Sequence, residues 1–145
     1  MNLRAAIAVV VLVLLAGGLW WIASLAPDPE RPDGRFDVYV VGPTTVLANG
    51  TVTLSDADAL RVLLALSEQR GFDVNVDDFD GCAYDYVRGI AGHTESATGG
   101  WNYYFRRGGG EWEWQAQAAS CAGLESGEDL LWCWVEADER CAVYP

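Results

Sequence analysis

Residues 36–71, FDVYVVGPTTVLANGTVTLSDADALRVLLALSEQRG, decide how this chain is read. Phe36-Asp37-Val38-Tyr39-Val40-Val41 alternates well enough to predict a strand, which Gly42-Pro43 stops. Asn49-Gly50 is a dipeptide that favours a hairpin turn, so Thr51-Val52-Thr53-Leu54 reads as the returning strand. One helix follows. Ser55 is placed as its N-cap, with Asp56 and Asp58 in a first turn whose dipole favours negative charge. Ala59, Leu60, Leu63, Leu64 and Leu66 form an apolar face at helical spacing. Gly71 is positioned to end the helix in a left-handed cap. A helix with such a face must bury it on a sheet.

Beyond the helix the pattern returns to strands. Candidates are residues 72–76, 82–90, 101–106, 112–117 and 130–135, the last entered through Gly127-Glu128-Asp129. Gly108-Gly109-Gly110 turns the aromatic strand that holds Trp101, and residues 89–100 read as a long loop of glycine, serine and threonine. Two strands, one helix and then several strands predict an α+β layer, a single helix packed on a mixed or antiparallel sheet. No internal repeat is present.

Upstream, residues 5–26 are all apolar, glycine or serine. As a helix this run would span roughly 30 Å, the thickness of a bilayer's hydrocarbon core. Arg4 precedes it, while Asp28 and Glu30 follow, which favours export of everything downstream. Residues 1–26 are therefore either an uncleaved signal anchor or a cleaved signal peptide. Ser24-Leu25-Ala26 supplies small residues for a cut, whereas Pro27 opposes it and Trp20-Trp21 suit the headgroup layer. Residues 27–35, with Pro27, Pro29 and Pro32, read as a stiff linker, which leaves residues 36–145 for the domain.

The cysteines agree with export. Cys82, Cys121, Cys133 and Cys141 lie beyond the apolar run, and no close C-x-x-C pair suggests zinc. Two disulfides are expected in an oxidising compartment. Three pairings are possible, and Cys133 with Cys141, hence Cys82 with Cys121, is the one favoured here. The net charge of −12 argues against nucleic acid or anionic lipid headgroups as partners. All the basic residues are arginine, which fits codon bias in a GC-rich genome.

Little in the sequence carries reaction chemistry. Asp77-Asp78-Phe79-Asp80-Gly81 resembles part of a calcium loop, but valines occupy the first and last ligand positions, Val76 and Val87. His93 is the only histidine, and no nucleophile elbow or phosphate-binding glycine loop accompanies it. Neither an enzymatic reaction nor a cofactor is expected. The aromatic strands are more distinctive. Trp101 and Tyr103, Trp112 and Trp114, and Trp132 and Trp134 alternate, so each pair shares a sheet face. They are either the core of a small domain or a stacking platform for a flat or sugar-like ligand.

Three stretches carry a family resemblance. They are Gly42-Pro43 with Asn49-Gly50-Thr51-Val52-Thr53 and the leucine helix; Trp101-Asn102-Tyr103-Tyr104-Phe105; and Leu124 with Gly127-Glu128-Asp129 and Trp132-Cys133-Trp134. Together they resemble the transcobalamin-like C-terminal domain family, small β-grasp-like modules of bacterial surface proteins and vitamin B12 carriers. Glu128 inserted in the Gly-Asp turn and Arg106-Arg107 before the glycine turn depart from that pattern. The resemblance implies a β-grasp-like fold and carries no cobalamin-contacting residue onto this chain. The resulting expectation is a membrane-tethered module outside the cytoplasm. It would bind a small molecule, a glycan or an envelope protein through its aromatic face and the 89–100 loop. The alternative is a structural or assembly subunit of the cell envelope.

Overall fold

A computed structural model describes residues 33–77, 86–136 and 141 of the chain. The helix expected at residues 5–26, most of the linker, Cys82 and the acidic stretch at residues 78–81 lie outside the described residues. Among the described residues no helix is long and apolar enough to cross a membrane.

Strand β1, Gly34–Val41, pairs antiparallel with β2, Val46–Leu54. The helix α1, Ala59–Arg70, then leads to β3, Val74–Asp77. Further strands are β4, Tyr86–Ile90; β5, His93–Thr94; β6, Gly99–Arg107; β7, Glu113–Trp114; and β8, Glu128–Glu136. Five of these form a sheet in the order β2-β1-β8-β6-β7. The central pair is parallel, Val38 opposite Leu130 through Val41 opposite Cys133, and the other pairings are antiparallel. Strands β3, β4 and β5 make a separate antiparallel sheet. The α+β class is therefore as expected, with two sheets rather than one.

The first hairpin differs from the sequence expectation. Asn49-Gly50 is not its turn: β2 runs straight through both residues, with Asn49 opposite Tyr39 and Gly50 opposite Val38. The chain reverses earlier, where the Gly42 N–H donates to the Thr45 carbonyl at 2.8 Å. Gly50 serves packing instead. A Cβ there would stand 2.8 Å from Leu66 Cδ1 and 3.1 Å from Arg70 Nη2, so its bare backbone lets α1 approach β2 closely.

The cap also shifts. Asp58, not Ser55, is the N-cap, its carboxylate accepting from the Arg61 N–H at 2.8 Å. Asp56 and Asp58 thus precede the helix instead of filling its first turn. The C-terminal end is as expected, with Gly71 at φ 73° and its N–H donating to the Ser67 carbonyl. The buried stripe is Ala59, Val62, Leu63, Leu66 and Ser67, whereas Leu64 of the expected face is exposed. Each large apolar side chain in that stripe contributes about 1.5–3 kcal/mol by leaving water.

Smaller boundaries move as well. Gly34 and Arg35, read as linker, belong to β1. The expected loop of residues 89–100 contains a hairpin that turns at Ala91-Gly92, both at positive φ, before β5. The strand expected at residues 112–117 shortens to Glu113–Trp114.

The sheet has a core on each side. Phe36, Val38, Val40, Val52, Leu130 and Trp132 pack under α1, joined by Val87 and Ile90 from β4. On the opposite face Leu131, Cys133 and Val135 are buried among Tyr39, Val41, Tyr104, Trp112 and Cys141. The Cys133–Cys141 disulfide closes this second cluster, in the pairing expected. Cys121 is disulfide-bonded too; its expected partner, Cys82, is outside the described residues.

Candidate functional site

The six aromatic residues singled out from the sequence do not form one surface. Trp101, Tyr103 and Trp132 are buried in the helix-side core, 5%, 6% and 2% exposed. Trp134 packs against the same core, edge-on to Trp101 with ring centroids 5.6 Å apart. Gly99 makes room for it, since a Cβ there would meet the Trp134 indole at 2.9 Å. Trp112 lies on the opposite face. Its ring stacks under the Arg106 guanidinium at 4.3 Å, and Arg106 donates twice to Asp129. Only Trp114, on the two-residue edge strand β7, is widely exposed, at 59%. A ligand could not stack on Trp101, Tyr103 or Trp132 without opening the core. The continuous aromatic platform is therefore replaced by two packed clusters and one outlying ring.

Burial of Tyr103 has an electrostatic consequence. Its hydroxyl donates to the Gln117 carbonyl at 2.5 Å, and desolvation pushes its pKa up to about 12. A tyrosine that ionises less readily folded than unfolded adds stability that is complete below pH ~10 and lost as pH rises towards 12. A shift of that size corresponds to roughly 2–3 kcal/mol. We expect Tyr103 to contribute a late step of tyrosinate absorbance near pH 12, and Tyr103→Phe to flatten stability between pH 10 and 12. A Tyr103→Phe protein with an unchanged alkaline profile would refute this.

A concave feature of the described surface lies where the two sheets meet. An open cleft of about 350 Å³ is walled by Tyr86 of β4, by residues 95–98, by the start of β6 and by Val135 and Glu136 at the end of β8. Local structure explains its shape. The Trp101 indole N–H donates to the His93 carbonyl at 2.8 Å, fixing β5 against β6. The Ser96 N–H donates to the Gly99 carbonyl at 2.9 Å, so residues 96–99 fold back tightly. Gly100 leaves the floor open: a Cβ would stand 3.4 Å from Tyr86 Oη and 3.9 Å from Glu95 Cγ.

Its chemistry is that of a polar acceptor site. The Tyr86 hydroxyl donates to Glu95 Oε1 at 3.0 Å, and desolvation, followed by that bond, raises the Tyr86 pKa. The Ser96 and Thr98 hydroxyls stand 3.3 Å apart beside it, and Asn102 and Glu136 complete the polar lining. His93 contributes its carbonyl to the fold, and no catalytic pair with it appears among the described residues. Nor, among these, do three His, Cys, Asp or Glu side chains gather as for a metal ion. The sequence pointed to the 89–100 loop; it held no sign of Tyr86 or Glu136, which only the folding of β4 and β8 brings to it.

No protein-family model matches the chain, and no curated protein matches it. Among solved structures it is similar to "a putative metal binding protein from Ruminococcus gnavus ATCC 29149". The identity is 16% and the TM-score 0.47, over 72% of this chain and 98% of that one. Likeness at that level assigns neither a family nor a ligand.

Proposed function

We propose that the chain is a membrane-tethered, extracytoplasmic binding module of β-grasp-like fold, with the cleft between Tyr86 and Glu136 as the seat of a small polar ligand. The cleft itself carries this reading. Its volume of about 350 Å³ is at the lower end of the range typical of small-molecule sites, and several hydrogen-bonding groups converge on it. The order β2-β1-β8-β6-β7, with a parallel central pair and a helix after the first hairpin, supports the β-grasp-like assignment and the transcobalamin-like resemblance. The apolar run at residues 5–26 supports tethering, and the bonded cysteines support an oxidising location.

The test is a calorimetric titration of the full chain in detergent with neutral glycans, amines and organic acids. A saturable binder is expected, lost in Gly100→Val, whose side chain would enter the cleft. Binding that survives Gly100→Val would move the site elsewhere. One observation favours the structural-subunit alternative: Trp101, Tyr103 and Trp132 are core, as that reading requires. A panel with no binder would select it.

A further inference from the structure

We infer that the cleft takes a small hydroxylated organic cation, of the amino-sugar or amino-alcohol class, in preference to neutral or anionic analogues. This rests on the cleft being the binding site and goes on to name the ligand's chemistry. Among the described residues Glu95 and Glu136 both line the cleft and no arginine does. The Arg88 guanidinium, close enough for its charge to act on Glu95, is paired with Asp77. The whole chain carries −12, which concentrates cations and repels anions at a recess of the same sign. A cation entering here would meet both carboxylates.

The remaining lining explains why the cation should be organic and hydroxylated. Among the described residues no three acidic, histidine or cysteine side chains gather here as a calcium site would require. Tyr86 is 41% exposed, presenting a ring to an ammonium group. The Ser96 and Thr98 hydroxyls and the Asn102 amide donate as well as accept, matching a ligand hydroxyl's two roles. Gly99 and Gly100 leave backbone in reach of a ring.

Three sugars of similar size separate the possibilities: glucosamine, glucose and glucuronate, titrated into the full chain at a pH where the amine is protonated. We expect glucosamine to bind at least tenfold tighter than either analogue. Glu95→Gln and Glu136→Gln should each weaken it several-fold, and added salt should weaken it further. Gly100→Val should abolish binding with an unchanged near-ultraviolet circular dichroism spectrum. Equal or tighter binding of the neutral or anionic sugar, still lost in Gly100→Val, would overturn the cation preference and leave the cleft standing. Binding of none would overturn both. Calcium binding that Glu95→Gln removes would overturn the organic cation in favour of a metal.

Discussion

Gly50→Val is expected to destabilise the protein by about 3 kcal/mol, although valine is the better strand residue. Valine's strand preference is worth up to about 1 kcal/mol, and it acts in favour of the variant. Against it stands the contact. The new Cβ would lie 2.8 Å from Leu66 Cδ1, closer than two carbons can sit, before either γ-methyl is placed. Arg70 Nη2, 3.1 Å away, ends a flexible side chain and can swing clear. Leu66 cannot, because it is fully buried between α1 and the sheet. The helix must therefore lift from β2 or Leu66 must leave its rotamer. Gly71→Ala is the control. Nothing lies within 4 Å of its Cβ site, so its cost of about 1 kcal/mol would come from φ 73° alone. Urea unfolding of the full chain in detergent measures both. A Gly50→Val midpoint at or above that of the parent would show that α1 does not rest on Gly50.

Gly50 also shows where the sequence stops being legible. Asn-Gly is a turn dipeptide by local preference, yet glycine equally serves a strand that a helix must approach. Which use applies depends on Leu66 and Arg70, 16 and 20 residues away in the chain. Local signals did predict local features: the alternation of β1, the leucine periodicity of α1, the left-handed cap at Gly71 and the short Cys133–Cys141 bridge. Capping failed by three residues because Ser55, Asp56 and Asp58 all have capping side chains, and only backbone geometry selects Asp58. The site was half legible. A loop rich in glycine and serine advertises itself, whereas Tyr86 and Glu136 join it through pairings of β4 and β8 that no spacing encodes.

The second large effect separates core from platform among the tryptophans. Trp132→Ala should cost about 3–5 kcal/mol, and Trp114→Ala no more than about 0.5. Trp132 is 2% exposed, lies opposite both Val40 and Tyr103 in the sheet, and packs on the Tyr103 ring with centroids 5.1 Å apart. Truncating it would leave a cavity under α1 that its neighbours cannot close, because they are strands held in register on both sides. Its indole N–H is buried and has no hydrogen-bond partner among the described residues. An unsatisfied donor of this kind costs about 1–3 kcal/mol, so Trp132→Phe, which removes the donor and keeps most of the ring, should lose far less than alanine. Trp114 makes no such demand, being 59% exposed on a two-residue edge strand. Thermal unfolding of the three variants decides the matter. If Trp132→Ala lost less than about 1 kcal/mol, the ring would not be core. The aromatic face would then return as a ligand platform in place of the cleft. A full loss at Trp132, with parental stability in Trp114→Ala, means that the Trp132 ring belongs to the core, and leaves the cleft beside Glu95 as the proposed seat of recognition.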